Sequence, residues 1–388
     1  MSTVHRTRRS SGALMFPVIA VGGSPYTRGQ QYGSQARDRV RRSIAAYAEL
    51  FQAVAGWDWQ RATAEAQRFL PAIEDFAPEY VEELAGVAKG AEVTREDVLA
   101  INVRTEILYS ARVRSALATP VPSECTAFAS VSADGRVLVG QNWDWMPFAR
   151  DTVVVLQAVP DDSPAFVTVV EAGLLAKFGV NSAGLALMTN ALACTEDQAD
   201  VGVPYHVMLR ALLECETATD AVARLDQAAR ASSANYLLAD TTGSIVDVEA
   251  RPGGRESLHR LEPDGRGLLL HTNHFTSAQF TGVDYADLIE TTSHVRLQRL
   301  DDMVGSQSSD VDGFAAALSD HANSPDSVCS PDSVCRHPDR SLPMAEQAET
   351  VASVLVDLSE RSARLSEGPP CQHGYEELDC SMLEPVYG

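Results

Sequence analysis

Cysteine is scarce in this chain, and its distribution argues against a disulfide-stapled fold. Only seven cysteines occur among 388 residues, at positions 125, 194, 215, 329, 335, 371 and 380. Such a small, scattered and odd-numbered set does not make a disulfide framework, and it leaves at least one thiol free. Because disulfide-poor chains belong to reducing compartments, we expect a cytoplasmic protein.

Basic residues and long apolar runs are also lacking. Lysine and arginine number 31 against 53 acidic residues, which gives a formal net charge of -22 and argues against a nucleic-acid partner. No apolar run approaches the ~20 residues that span a bilayer, so we expect no membrane partner. The run at 12–21 follows three arginines as in a signal peptide, but Pro17 interrupts it and no convincing cleavage site follows. We predict a short buried strand there.

The first third of the chain shows helical periodicity. Apolar residues recur at helical spacing in four stretches, at 26–51, 57–73, 80–89 and 95–109. Thr94, followed three residues later by Asp97, predicts a capped start for the fourth helix. Residues 115–124 are small or proline and indicate an exposed connector that stops at Cys125.

After Cys125 the periodicity changes to that of strands and hairpins. The segments 126–131 and 137–145 predict a hairpin around Asp134-Gly135. Further strands are predicted at 152–159, 166–171, 176–180, 184–189, 235–239, 245–249, 267–271, 351–358 and 362–365. Helices are predicted at 205–215, 218–229, 285–303 and 312–322. Because hairpins dominate and helices come in pairs, we expect two antiparallel sheets with helical outer layers.

Cys125 carries the strongest chemical signal. If the Glu124–Cys125 bond breaks, Cys125 becomes an N-terminal residue that holds both a thiol nucleophile and, in its own α-amino group, a general base. That amine has an ordinary pKa of about 7.7–8.0, which suits a base near neutrality. No neighbouring histidine is then required.

Three polar residues at strand ends are candidates for supporting roles. Antiparallel pairing returns Asp144 towards Cys125, where its carboxylate would hold the new amine, although it could equally be a turn residue between two tryptophans. The amides of Asn190 and Asn273 suit an oxyanion hole, and each could instead cap a loop. His271 or His274 could alternatively serve Cys125 as a papain-like base.

The C-terminal quarter is rich in cysteine and histidine. It contains no C-x2-C unit, and its two candidate halves are far apart in sequence, so we expect no metal site. A non-catalytic zinc-bound or scaffolding protein is the alternative from another class. The hexapeptide Ser-Pro-Asp-Ser-Val-Cys ending at Cys329 is repeated to end at Cys335, which indicates a tandem duplication in a surface loop.

Motifs in a fixed order along nearly the whole chain resemble the isopenicillin N acyltransferase family of self-processing N-terminal-nucleophile cysteine hydrolases and acyltransferases. The segments that carry the likeness are Gly23-Ser24-Pro25-Tyr26, Asn102-Val103-Arg104-Thr105-Glu106, Glu124-Cys125-Thr126-Ala127-Phe128, Gly140-Gln141-Asn142-Trp143-Asp144, Gly179-Val180-Asn181-Ser182-Ala183-Gly184, His271-Thr272-Asn273-His274, Asp320-His321, Cys335-Arg336-His337-Pro338 and Gly368-Pro369-Pro370-Cys371.

The resemblance implies an α+β fold, the four-layer αββα sandwich. Residues 1–124 would form a mainly helical leader that stays bound after cleavage, and residues 125–388 would form the catalytic region. Asp144 would orient the amine, Asn273 would donate to the oxyanion, and Asn190 would be a second donor. Arg296 would correspond to a supporting arginine near the nucleophile.

The expected activity is the breaking or exchange of an amide or thioester acyl bond through an acyl-enzyme on Cys125. A small N-acyl or peptide-like amide with water as acceptor is favoured, and acyl-coenzyme A as co-substrate of a penicillin-forming type of transfer is the alternative. No other cofactor is expected. The chain departs from its wider relatives at Gln141, where penicillin V acylases and bile-salt hydrolases have arginine, and at Glu124, where the best-known family member has glycine.

Overall fold

A computed structural model describes residues 16–115, 124–198, 200–289, 291–306, 310–321 and 333–383. The three N-terminal arginines, most of the predicted connector and most of the duplicated segment lie outside these ranges. Within them the chain forms two large sheets with helices outside, as the predicted αββα sandwich requires. None of the described helices has the length and apolar character needed to cross a bilayer.

The first sheet has eight strands. In spatial order they are β1 (Val18–Gly23), β4 (Val153–Pro160), β5 (Phe166–Glu171), β6 (Phe178–Asn181), β7 (Leu185–Ala191), β8 (Ala234–Asp240), β9 (Ile245–Ala250) and β10 (Leu258–Leu261). The strand predicted within 12–21 corresponds to β1, which begins and ends later. The expectation of wholly antiparallel sheets is wrong at one pair, because β1 pairs with β4 in parallel. The long helical connection between these two strands permits that arrangement.

The second sheet has six strands and begins at the candidate nucleophile. In spatial order they are β11 (Leu268–His271), β2 (Glu124–Val131), β3 (Val137–Trp145), β12 (Glu349–Asp357), β13 (Ser362–Ser366) and β14 (Glu376–Leu378). The predicted hairpin after Cys125 is confirmed, since β2 and β3 pair antiparallel in continuous register. Strands β10 and β14 were not predicted.

Seven helices precede the connector. They are α1 (Pro25–Gln35), α2 (Arg37–Ala55), α3 (Trp59–Ala66), α4 (Leu70–Phe76), α5 (Pro78–Ala91), α6 (Arg95–Asn102) and α7 (Arg104–Ser115). The predicted capping box at Thr94 and Asp97 is confirmed. Three of the four predicted continuous helices are interrupted, at Ala36, at a 3₁₀ turn over Gln67–Phe69 and at Val103.

The remaining helices cover the sheets. They are α8 (Tyr205–Leu212), α9 (Ala218–Asp226), α10 (Ser293–Ser306), α11 (Val311–Leu318) and α12 (Pro370–His373). Helix α9 packs on β8 and β9, whereas α10 and α11 pack on the second sheet. The helix predicted from 285 begins only at Ser293, after a single 3₁₀ turn at Tyr285–Asp287.

Strand alternation decides which way Cys125 faces. Ala127 and Ala129 of β2 lie in the main core, where β2 packs against β7 and β8 of the first sheet. Phe128 lies between them on the opposite face and stacks on Phe314 of α11. Because side chains alternate along a strand, Cys125 faces the main core with the two alanines. Its side chain is 4% exposed.

Candidate active site

Cys125 lies at the beginning of β2, where one neighbouring strand has ended. On one side Cys125 pairs with Trp143 of β3. On the other side, pairing with β11 ends at Ala127 opposite His271. Two residues further in the same register, Asn273 stands opposite Cys125. The main chain of Cys125 is therefore available to side chains that follow β11.

Asn273 binds the backbone nitrogen of Cys125. The amide N–H of Cys125 donates to Asn273 Oδ1 at 2.6 Å. Arg296 Nη2 donates to the same oxygen at 3.0 Å. Since a guanidinium has no acceptor, this contact identifies the atom as the oxygen of the amide. Asn273 Nδ2 donates to the carbonyl of Ala191 at 2.9 Å, and its second N–H is a remaining donor for an oxyanion.

Arg296 binds the other side of the same residue. Its Nη1 donates to the carbonyl oxygen of Cys125 at 2.7 Å and to Thr126 Oγ1 at 2.9 Å. Its Nε donates to Thr292 Oγ1, which lies one turn earlier near the start of α10. Arg296 is fully buried. The structure thus places Arg296 next to the nucleophile, where the sequence predicts a supporting arginine.

Asp144 contacts Cys125 through its main chain. The backbone N–H of Asp144 interacts with the sulfur and favours the thiolate. Its carboxylate accepts from Thr350 Oγ1 at 2.6 Å, and the whole residue is buried. Thr350 lies opposite Asp144 on β12. The structure brings Asp144 to the nucleophile, and its role in orienting the amine stays a prediction.

Asn190 is held by hydrogen bonds to residues other than Cys125. Its Nδ2 is 3.4 Å from the carbonyl of His271, and its Oδ1 accepts from Asn235 at 3.3 Å. Ala191 lines the cavity beside Cys125, but neither Asn190 nor Asn273 does. Its role as second oxyanion donor stays a prediction.

A small cavity of about 30 Å³ adjoins the thiol. Its walls come from helix α7, from strands β2, β3 and β7, from Lys177 and from the start of α8, and they comprise Arg104, Thr105, Leu108, Tyr109, Cys125, Trp143, Asp144, Trp145, Lys177, Ala191 and Tyr205. A volume of this size holds about one water molecule. Helix α7, which precedes the Glu124–Cys125 bond, therefore forms one wall of the space beside Cys125.

Lys177 was not among the site residues predicted from the sequence. Its Nζ lies 4.7 Å from the centre of the Trp143 ring, and the residue is buried. Burial lowers the pKa of Lys177 to about 8, and the Cys125 thiolate partly opposes that shift. A signal was present, because the chain has only two lysines and this one follows the apolar run Leu174-Leu175-Ala176.

The thiol of Cys125 experiences opposing influences. Burial raises its pKa, and so does the nearby Asp144 carboxylate. Lys177, the backbone N–H of Asp144 and Arg296 lower it, but the pKa stays above its ordinary value. In this uncleaved chain the nucleophile is therefore a thiol, and a base must take its proton before it attacks.

The two histidines that could serve as a papain-like base are engaged elsewhere. His271 Nδ1 lies 2.8 Å from the carbonyl of Thr272, and Nε2 lies 3.0 Å from Glu249 Oε1. His274 Nδ1 lies 2.7 Å from Ser293 Oγ, and burial lowers its pKa to about 3. Neither histidine lines the cavity beside Cys125.

Comparison with known proteins supports the chemistry that this geometry suggests. The family model described as acyl-coenzyme A:6-aminopenicillanic acid acyl-transferase matches residues 131–370. The 40 kDa form of acyl-coenzyme A:6-aminopenicillanic-acid-acyltransferase from Emericella nidulans is 25% identical over 356 residues, which cover 91% of this chain and 92% of that protein.

Two solved structures are also similar. A mutant of conjugated bile acid hydrolase from Clostridium perfringens shares 14% identity at a TM-score of 0.44, covering 66% of this chain and 93% of its own. Penicillin V acylase from Agrobacterium tumefaciens shares 15% identity at a TM-score of 0.40. The match covers 68% of this chain and 89% of the acylase.

The family predicted from the motifs is confirmed, and with it the expectation that the chain is an enzyme. The family match spans more than half of the residues, from the hairpin after Cys125 to the turn before Cys371. The chain belongs to the acyl-coenzyme A:6-aminopenicillanic acid acyl-transferase family.

Proposed function

We propose that this enzyme cleaves its own Glu124–Cys125 bond and then uses Cys125 as an N-terminal nucleophile towards a small amide. The observation that carries the proposal is the pair of side chains on the Cys125 main chain. Asn273 binds its nitrogen and Arg296 binds its carbonyl, although neither belongs to a neighbouring strand at that point. These contacts would fix a free amine where strand pairing alone would leave it unsupported.

Self-cleavage would begin with attack of Cys125 Sγ on the carbonyl carbon of Glu124. The C–N bond breaks as the thioester forms, and the departing nitrogen takes the proton that leaves the thiol. Water then hydrolyses the thioester, so that Glu124 ends in a carboxylate and Cys125 recovers its thiol. Both sides of the bond lie in β2, with Glu124 paired to Asp144.

Turnover would repeat this chemistry on a substrate. The new amine accepts the thiol proton while Sγ attacks the substrate carbonyl, and it returns a proton to the leaving amine. The acyl group then passes from Sγ to water, whose proton the same amine accepts. Asn273 would donate to the oxyanion through Nδ2. An amine acceptor in place of water would make the same enzyme a transferase.

The favoured acceptor is water, and the favoured substrate is a small N-acyl or peptide-like amide. Gln141 is fully engaged, since its side chain donates to the carbonyl of Thr189 at 3.0 Å and accepts from the Thr189 N–H at 2.9 Å. It joins the two sheets and offers no cation to an anionic substrate. The alternative is transfer from acyl-coenzyme A, the reaction in the name of the Emericella nidulans relative.

The leader would stay bound after cleavage. Its strand β1 is hydrogen-bonded to β4 of the catalytic region. Arg104 of α7 forms a buried ion pair with Glu171 at 2.8 Å, and Glu106 accepts from the Tyr205 N–H at 2.8 Å. Separating the fragments would break these contacts and expose the apolar side chains of the leader helices that are buried in the main core, which is costly. The cytoplasmic location stays a prediction.

Intact-mass analysis of the purified chain tests the proposal. The wild type should give two non-covalently associated fragments, 1–124 and 125–388, whereas Cys125→Ala should stay a single chain. Cys215→Ala, which alters a thiol outside the site, should cleave like the wild type. An uncleaved wild type that hydrolyses N-acyl amides would overturn the mechanism. Offering an amine beside water and measuring both products would then decide between hydrolysis and transfer.

A further inference from the structure

Four metal-ligating side chains from the C-terminal quarter meet at one place in the fold. They are His321 after α11, Cys335 and His337 before β12, and Cys371 in α12, and their ligand atoms all lie within 4.8 Å of one another. Cys335 is buried and Cys371 is exposed, so the cluster reaches the surface. We infer that these two cysteines and two histidines form a zinc site.

Four of the six distances between the ligand atoms are close to those of a tetrahedron around one zinc ion. Zinc–sulfur bonds of about 2.3 Å and zinc–nitrogen bonds of about 2.0–2.1 Å place two sulfurs about 3.8 Å apart, sulfur and nitrogen about 3.6 Å apart, and two nitrogens about 3.3 Å apart. Here Cys335 Sγ and Cys371 Sγ are 3.6 Å apart. His337 Nε2 lies 3.8 Å from Cys335 Sγ and 3.2 Å from Cys371 Sγ. His321 Nε2 lies 2.9 Å from His337 Nε2.

The donor types favour zinc among the common metals. Two thiolates and two neutral imidazoles neutralise a divalent charge, and this soft set disfavours magnesium and calcium, which prefer oxygen ligands. The neighbouring carboxylate of Asp320 is engaged by Arg299, whose Nη2 lies 2.8 Å from Oδ1. Binding would release two thiol protons to solvent. The inferred zinc site differs from the expectation, drawn from linear spacing, that the chain holds no metal.

The zinc would have a structural role beside the active site. The backbone N–H of Arg336, between two of the ligands, donates to Thr350 Oγ1 at 2.9 Å, and the N–H of Thr350 donates back to the Arg336 carbonyl at 3.1 Å. The same Thr350 hydroxyl donates to Asp144. A metal that fixes the ligand loop therefore also fixes the hydrogen-bond partner of Asp144. His321 and Cys335 are separated in sequence by residues 322–332, and the metal would hold the two described segments together.

Metal content of the full-length chain, purified without chelator, tests the inference. Elemental analysis and native mass spectrometry should find one zinc per chain in the wild type and in Cys125→Ala, so the result does not depend on self-cleavage. Cys335→Ser and Cys371→Ser should bind zinc more than about 100-fold more weakly, since loss of an outer partner alone costs about 10–100-fold. Cys329→Ser is the matched control, because it ends an identical hexapeptide, and it should keep its zinc.

Cobalt substitution provides a second test in case a variant folds poorly. Metal-free wild type given Co²⁺ should show the absorption of tetrahedral thiolate-bound cobalt, and the band should be absent from a folded Cys371→Ser chain. A folded wild type that binds neither Zn²⁺ nor Co²⁺ stoichiometrically would show a metal-free hydrogen-bonded cluster and overturn the inference. Full zinc retention by the Cys335→Ser, Cys371→Ser double variant would do the same.

Discussion

The guanidinium of Arg296 lies 2.7 Å from the backbone carbonyl oxygen of Cys125, so a residue of α10 binds the Cys125–Thr126 peptide group of β2. The same guanidinium reaches Asn273 Oδ1 and thereby connects the two polar groups that surround the Cys125 main chain. Charge-assisted hydrogen bonds of this kind are about twice as strong as neutral ones. We therefore predict that Arg296 is a positioning residue for the nucleophile.

Replacing Arg296 by lysine should slow self-cleavage and turnover. Lysine keeps the charge but cannot bind Cys125, Thr126 and Asn273 together, because it lacks the fork of N–H donors. We expect a loss of about 100-fold in kcat, the size found when one preorganised donor is removed from an active site, with little change in KM. Mass spectrometry over time measures the rate of self-cleavage. Steady-state assays of the cleaved fraction measure kcat and KM.

Arg299→Lys on the same helix is the control for Arg296→Lys, because Arg299 pairs with Asp320. If both variants lose the same activity, the effect comes from α10 as a whole and the positioning role is wrong. Circular dichroism of each variant shows whether the fold is retained.

The fold of this site was predictable from sequence where its signals are local. The change of periodicity at Cys125 predicts a hairpin, and the observed β2 and β3 match it closely. Thr94 and Asp97 predict a helix start because a capping box needs only three residues of separation. The pairing of β1 with β4 joins residues more than a hundred positions apart, and no local pattern indicates it.

The site itself was predictable only in part. Motif order singled out Cys125, Asp144, Asn273 and Arg296, and the structure gathers all four. Lys177 escaped because a lone lysine just before an apolar strand has no spacing motif. The four Cys and His ligands escaped for a related reason, since three separate segments bring them together and their linear spacing matches no zinc unit.

The Asn273→Asp variant distinguishes the acceptor role of the Asn273 side chain from its proposed donor role. The carboxylate keeps an oxygen for the Cys125 nitrogen and for Arg296, but it removes the N–H that would bind the oxyanion. We expect kcat to fall by about 10²–10³-fold, the usual cost of one oxyanion donor. Steady-state kinetics on an N-acyl amide measure the loss.

Full activity in Asn273→Asp would show that only the oxygen matters and would refute the oxyanion role. Gln198→Glu serves as the comparison, since it makes the same amide-to-carboxylate change at an exposed side chain that contacts Thr195. Its effect on kcat should be small.

Lys177→Met should raise the pKa of the Cys125 thiol. The ammonium of Lys177 lowers that pKa in the wild type, because a positive charge nearby favours the thiolate. The pH dependence of Cys125 alkylation in the mature enzyme, read by peptide mass, should therefore move to higher pH. Lys177→Arg keeps the charge and should restore most of the wild-type profile.

Lys89→Met is a matched control for Lys177, because Lys89 is the only other lysine and is exposed. Its alkylation profile should match the wild type. An unshifted profile in Lys177→Met would mean that the ammonium does not act on the thiol.

Glu106 should make the stability of the chain depend on pH near neutrality. Burial raises its pKa from 4.5 to about 7, despite hydrogen bonds from the Tyr205 N–H and Ser232 Oγ. The folded chain thus holds a proton that the unfolded chain has already lost. A group whose folded pKa is raised contributes stability that is complete below pH 4.5 and is lost as the pH rises through about 7. Between pH 6 and 8 the loss should be about 1 kcal/mol.

Glu106→Gln should remove that dependence, because glutamine keeps the acceptor oxygen and does not ionise. Both chains are compared in the Cys125→Ala background, so that neither is cleaved, and the free energy of unfolding is measured in urea at pH 6, 7 and 8. The free energy of unfolding of Glu106→Gln should increase relative to that of its parent as the pH rises. Glu96→Gln, which changes an acid on the exposed start of α6, should follow its parent at every pH, and an equal pH response of all three chains would contradict the role of Glu106.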